Sequence, residues 1–113
     1  MLRSAKILKG LDISARDGEL GEVEELIVDD EDWTIRYMVV DTGRWLPGRK
    51  VIISPQWISE KDMAQGRVVV DLSQSSVRNS PVYDPDTLDR DYEDRLYEYY
   101  GREKYWLGRR RAA

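Results

Sequence analysis

Residues 17–54 read DGELGEVEELIVDDEDWTIRYMVVDTGRWLPGRKVIIS. Three β-rich runs are joined there by two breaks of turn-forming residues. From Leu20 to Val28 apolar residues return at Leu20, Val23, Leu26 and Val28. That period slips where Glu24 and Glu25 sit side by side, which predicts a β-bulge or sharp bend. Asp29–Asp32 follows as a hairpin turn, because Asp tolerates turn backbone and bonds its own main chain. Trp33 to Thr42 is the strongest strand. Ile35, Tyr37 and Val39 lie on one face and Arg36, Met38 and Val40 on the other, so both faces are apolar or long-chained and the strand is expected to be central. Gly43–Gly48 makes a punctuated loop, and Lys50–Ser54 forms a further strand closed by Pro55.

Working outward, Leu11–Arg16 alternates apolar and polar residues and reads as a short strand ending at the turn dipeptide Asp17-Gly18. Trp57 and Ile58 are expected to pack over an open end of the sheet. Gly66–Asp71 (GRVVVD) is the last expected strand, and Leu72–Val77 a single helical turn capped by Ser73. Five or six short strands, one of them bent, favour a closed or nearly closed barrel over a flat sheet, because closure removes exposed edges. The fold class is therefore mainly β, a small bent antiparallel barrel followed by a C-terminal amphipathic helix. The division expected is a β domain over residues 1–80 and a helix with an aromatic and basic tail over 81–113.

In that second part Asp84 is placed as the N-cap and Pro85 at the first helical position. Leu88, Tyr92, Leu96 and Tyr99 then form one stripe at intervals of four, four and three. Gly101 stands where a left-handed C-terminal residue is expected. Lys104–Leu107 is aromatic, and the basic end, Gly108–Ala113, is expected to fray.

Composition excludes several chemistries. The 113 residues contain no cysteine and no histidine, so there is no disulfide framework, no thiol nucleophile and no imidazole base or ligand. No apolar run approaches the roughly 20 residues that span a bilayer, and MLRSAKILKG is too short and polar for a signal-peptide core, so a cytoplasmic protein is expected. Charge is uneven: net −6 over residues 1–32, +3 over 33–83 and −1 thereafter. The acidic first third argues against a nucleic-acid footprint there, and no DNA partner is expected. No cofactor, metal or catalytic group is assigned. Carboxylates are abundant, yet no pair of them has a recognisable motif spacing. Asp29–Asp32 lacks the spacing of a calcium loop, and Glu22, Glu24 and Glu25 read as a solvated strand face.

The combination of Asp17-Gly18 with Gly21 and Val23, the acidic hairpin, Trp33–Tyr37, Val39–Gly43 and the run to Ser54-Pro55 resembles the PRC-barrel family. That family takes its name from the cytoplasmic barrel of the photosynthetic reaction centre H subunit, and the ribosome-maturation factor carries a similar barrel at its C-terminal end. Glu98–Gly101 with Tyr105-Trp106 is similar to the segment that follows the barrel in soluble bacterial members. The resemblance implies a bent barrel used for assembly or interaction and no catalytic role. A single barrel, without a membrane helix or an N-terminal partner domain, is expected to pair with a second chain in place of a tandem copy.

Tyrosine combines large apolar area with a polar tip, which suits it to interfaces. The expected homodimer contact is therefore Leu88, Tyr92, Leu96, Tyr99, Tyr100, Tyr105 and Trp106, within a larger protein complex if one forms. The alternative is an RNA- or ribosome-associated accessory module, contacted through Arg44, Trp45 and Arg49 of the loop with Trp45 stacking on a base.

Overall fold

The computed structural model describes residues 1–43, 46 and 49–107, the side chains of 7–9 excepted. Among these residues six strands form one sheet: β1 (Leu2–Ala15), β2 (Gly18–Asp29), β3 (Thr34–Asp41), β4 (Lys50–Ile53), β5 (Ile58–Asp62) and β6 (Arg67–Val70). Their spatial order is β4-β3-β2-β1-β6-β5. The sheet curls without closing, as a bent, barrel-like fold. Neighbours are antiparallel except β1 and β6, which run parallel with Ile13 opposite Val68. Register shifts in the β1–β2 and β2–β3 pairs bend the strands around the core.

β3 is an interior strand, and from Arg36 to Val40 every residue is buried. The expected bulge in β2 is present: Val23 faces Val40 and Glu25 faces Val39, so Glu24 is the extra residue. A second irregularity lies opposite. Ile27 faces Tyr37 while Val28 faces Ile35, leaving Arg36 unpaired in register and turning its side chain inward. Gly21 has φ +145°, and a Cβ there would lie 2.0 Å from the Asp41 carbonyl oxygen. Only glycine permits that approach of β2 to the end of β3.

Several boundaries differ from the sequence reading. β1 starts at Leu2, not Leu11, because its N-terminal half pairs with the second half of β2, Leu2 facing Asp29. Its Arg, Ser and Lys residues carry little strand signal; the backbone ladder holds them. β5 has no counterpart in the sequence reading. It reads ISEKD, sits at the sheet's edge, and is exposed over most of its length, a charged edge strand of the kind that discourages further pairing. Trp33 belongs to the hairpin turn with φ 57°, and β3 begins only at Thr34.

Trp57 is buried in a short 3₁₀ turn, Pro55–Trp57. The short helix α1 (Gln74–Arg78) has Ser73 as N-cap, its hydroxyl accepting from Ser76 N. The helix expected from Pro85 is split. Asp84 caps a 3₁₀ turn over Pro85–Thr87, and α2 (Arg90–Tyr100) starts afresh with Asp89 accepting from Tyr92 N at 2.9 Å. Gly101 ends α2 at φ 65°, the left-handed cap expected of it.

The outer edge of β4 is covered by the chain approaching α2. Tyr83 N donates to Lys50 O, and the Arg49 guanidinium donates to the carbonyls of Arg78 and Ser80.

Candidate interaction surface

α2 lies against the barrel with a face wider than the predicted stripe. Tyr92, Glu93, Leu96 and Tyr97 are all buried. Burying Leu96 and the Tyr97 ring contributes about 1.5–3 kcal/mol each, so the helix is held firmly by its own chain. Tyr97 is the hub. Its ring meets Tyr37 of β3 at 6.3 Å, Trp57 at 5.5 Å, Tyr105 at 6.1 Å and Trp106 at 5.4 Å, all edge-on. Such edge contacts set a ring's positive rim against a neighbour's negative face. Tyr100 packs on Trp57 at 5.0 Å.

A buried carboxylate lies at the centre. Glu93 is 2% exposed. Its Oε2 accepts from the Tyr37 hydroxyl at 2.5 Å and from the Tyr105 hydroxyl at 2.8 Å, and Oε1 lies 3.4 Å from Arg90 Nε. β3, α2 and the tail after Gly101 are thus tied to one side chain. Burial pushes the Tyr37 hydroxyl far above the ordinary tyrosine range, and Tyr97 and the Glu93 charge add to it. Burial, then the bond to Glu93, raises Tyr105 likewise. Both hydroxyls remain protonated donors at any physiological pH. Arg36 stacks over Tyr105 at 4.0 Å and Arg90 over Trp106 at 4.1 Å.

Of the residues expected at an interface, Tyr92 and Leu96 are buried within the chain, Tyr92 donating to Pro81 O at 2.9 Å. Tyr100, Tyr105 and Trp106 are half-buried in the aromatic cluster. Tyr99 is exposed and donates to Ser76 O. Leu88 is half-buried between the 3₁₀ turn and α2. Of the expected loop contacts, Arg49 is bonded to main-chain carbonyls as above, and Arg44 and Trp45 lie outside the described residues. The acids of the hairpin have partners. Asp29 and Asp32 accept from the backbone of Glu31 and Thr34 and hold Arg36, and Asp30 holds Arg3. Glu24 pairs with Lys50, and Glu25 accepts from Ser4.

Sequence reasoning missed Tyr37, Glu93, Tyr97, Arg36 and Arg90 as one constellation. Tyr92, Glu93, Leu96, Tyr97 and Tyr100 stand at i, i+1, i+4, i+5 and i+8, a broad helix face that marks full docking where a narrow stripe would not. What remains on the surface is apolar at Trp33, Ile35 and Leu107. A groove of about 380 Å³ also runs between the start of α2 and strands β1 and β2.

Among the described residues no helix is long and apolar enough to cross a membrane. A family model described as PRC-barrel domain matches residues 3–77. No curated protein matches the chain.

Proposed function

The chain belongs to the PRC-barrel family, a family of generally non-catalytic barrels that points to an interaction or assembly role, and we propose that it is a non-catalytic assembly module that self-associates as a homodimer. The C-terminal helix takes part while docked on its own barrel. Tyr92 and Leu96 hold it in place, and at its start Asp89 and Arg90 are exposed beside the half-buried Leu88.

One observation carries this reading. The buried Glu93 is held by the Tyr37 and Tyr105 hydroxyls and by the exposed Arg90 at its outer side, while large apolar side chains at Trp33 and Ile35 stand exposed. A buried acid whose Oε2 already takes two hydroxyl donors serves to fasten a helix. Tryptophan is among the side chains enriched at the energetic centres of interfaces.

Light scattering across a concentration series tests the proposal. A mass of two chains at micromolar concentration is expected, and a single-chain mass at high micromolar concentration refutes it. An RNA-associated role draws less support, because Arg36, Arg49 and Lys50 of the basic middle block are engaged by carboxylates or carbonyls of their own chain.

A further inference from the structure

Trp33 is costly where it stands. The last residue of the β2–β3 turn has φ 57°, a left-handed conformation suited to Gly or Asn and unfavourable for a bulky side chain. Burial does not repay that strain, since Trp33 is 74% exposed. Within one copy of the chain the indole is left both strained at its backbone and open to solvent.

A receptacle lies on the same rim of the molecule. The groove beside α2 has Leu2, Ile27, Pro85 and Leu88 as apolar lining. The exposed Arg3 and Arg90 are its cations, and Asp89 and the buried Glu93 its acids. At about 380 Å³ it falls near the lower end of ligand-site volumes, room for one ring system and little more. Arg3 joins groove to turn, because its Nε bonds Asp30 in the acidic hairpin that carries Trp33.

Resting on the self-association reading above, we propose that a second copy of the chain fills this groove with its Trp33, and that the two copies exchange the contact about a two-fold axis. A knob and a hole side by side on one rim are what an isologous interface requires, since each copy then gives and receives the same contact. Charge agrees. The turn beside Trp33 carries Glu31, its side chain 68% exposed and 4.0 Å from the Met1 ammonium. The receiving groove carries Arg3 and Arg90, whose side chains stay 66% and 53% exposed although they pair with Asp30 and Glu93 of their own copy. Arg90 already stacks on the Trp106 indole at 4.1 Å, so it can serve as a cation for a second indole. Leu88 enters the interface as part of the groove wall and not of a helix stripe.

Sedimentation velocity on three samples tests the exchange: Trp33→Asn, which removes the knob and suits the turn; Leu88→Glu, which places an acid in the hole; and an equimolar mixture of the two. Each variant alone is expected to dimerise at least tenfold more weakly than the parent chain, and the mixture to recover association, because one intact knob then meets one intact hole. Melting of Trp33→Asn at low concentration controls for folding, with no loss expected. A parent dimer unaffected by Trp33→Asn overturns this inference and leaves the self-association reading standing. Two weakened variants whose mixture stays weak overturn the exchange. A parent chain that is monomeric throughout overturns both.

Discussion

Replacing Tyr37 by Phe and Glu93 by Leu, singly and together, probes the attachment of α2 to the barrel. Tyr37→Phe deletes a hydroxyl that donates to a buried carboxylate at 2.5 Å. Hydrogen bonds to charged groups are worth about 1.5–3 kcal/mol. Tyr105 still donates to the same oxygen at 2.8 Å, which places the expected loss near 2 kcal/mol. Glu93→Leu removes the acceptor and strands the Tyr37 hydroxyl in a fully buried site, at a cost of about 1–3 kcal/mol for an unsatisfied polar group. The neighbouring Tyr97 hydroxyl offers partial compensation, so about 2 kcal/mol is again expected. The double variant removes donor and acceptor together and is expected to cost no more than either single change. The cycle then yields a coupling of about 2 kcal/mol. In urea titrations, with a slope near 2 kcal/mol per molar, each single variant shifts the midpoint by about 1 M. Additive losses within about 0.5 kcal/mol would show that Glu93 and Tyr37 do not hold each other, and the central role given to that carboxylate would fail.

Gly21→Ala is expected to cost at least about 2 kcal/mol by thermal melting, because the new methyl meets the Asp41 carbonyl in a backbone conformation closed to alanine; an unchanged melting temperature would refute the close approach. Asp89→Ala is expected to lose about 1 kcal/mol of stability through the N-cap of α2, and more than Asp84→Ala, which caps only a 3₁₀ turn; the reverse order would restore the helix start at Pro85. Trp33→Asn, measured where the chain is monomeric, is expected to gain up to about 1 kcal/mol by relieving the left-handed backbone. Alkaline unfolding has a defined sign. Burial raises Tyr37, Tyr92, Tyr97, Tyr100 and Tyr105, with Tyr100 pushed up to about 12. The unfolded chain releases tyrosyl protons above about pH 10 while the folded one keeps them. Stability is therefore full below that pH and is lost as pH rises above it, by about 1.4 kcal/mol per unit for a tyrosine such as Tyr100 that keeps its proton until about 12. Tyrosinate absorbance from more than two of the seven tyrosines ahead of unfolding would contradict it.

Local backbone chemistry was legible in the residues alone. Paired glutamates at 24 and 25 marked the bulge in β2, Ser73 and Gly101 marked helix ends, and Asp29–Asp32 marked the hairpin. Each of those signals acts within a few residues, through a side chain bonding its own main chain or a glycine admitting a left-handed turn. The barrel family was legible for the same reason, since its motifs are spacings of turns and strands.

Tertiary structure decided the rest. Strand β5 and the first half of β1 are held by main-chain ladders that any residue supplies, so their polar sequences carried no mark of pairing. Glu93 reads as one more surface acid of an acidic helix until Tyr37, fifty-six positions earlier, arrives to meet it. Trp33 reads as the start of a strand until the register with Asp29 leaves it in the turn, exposed. Which polar group is buried, and which apolar one is left outside, depends on contacts between distant segments, and those are fixed only when the sheet curls and α2 closes against it.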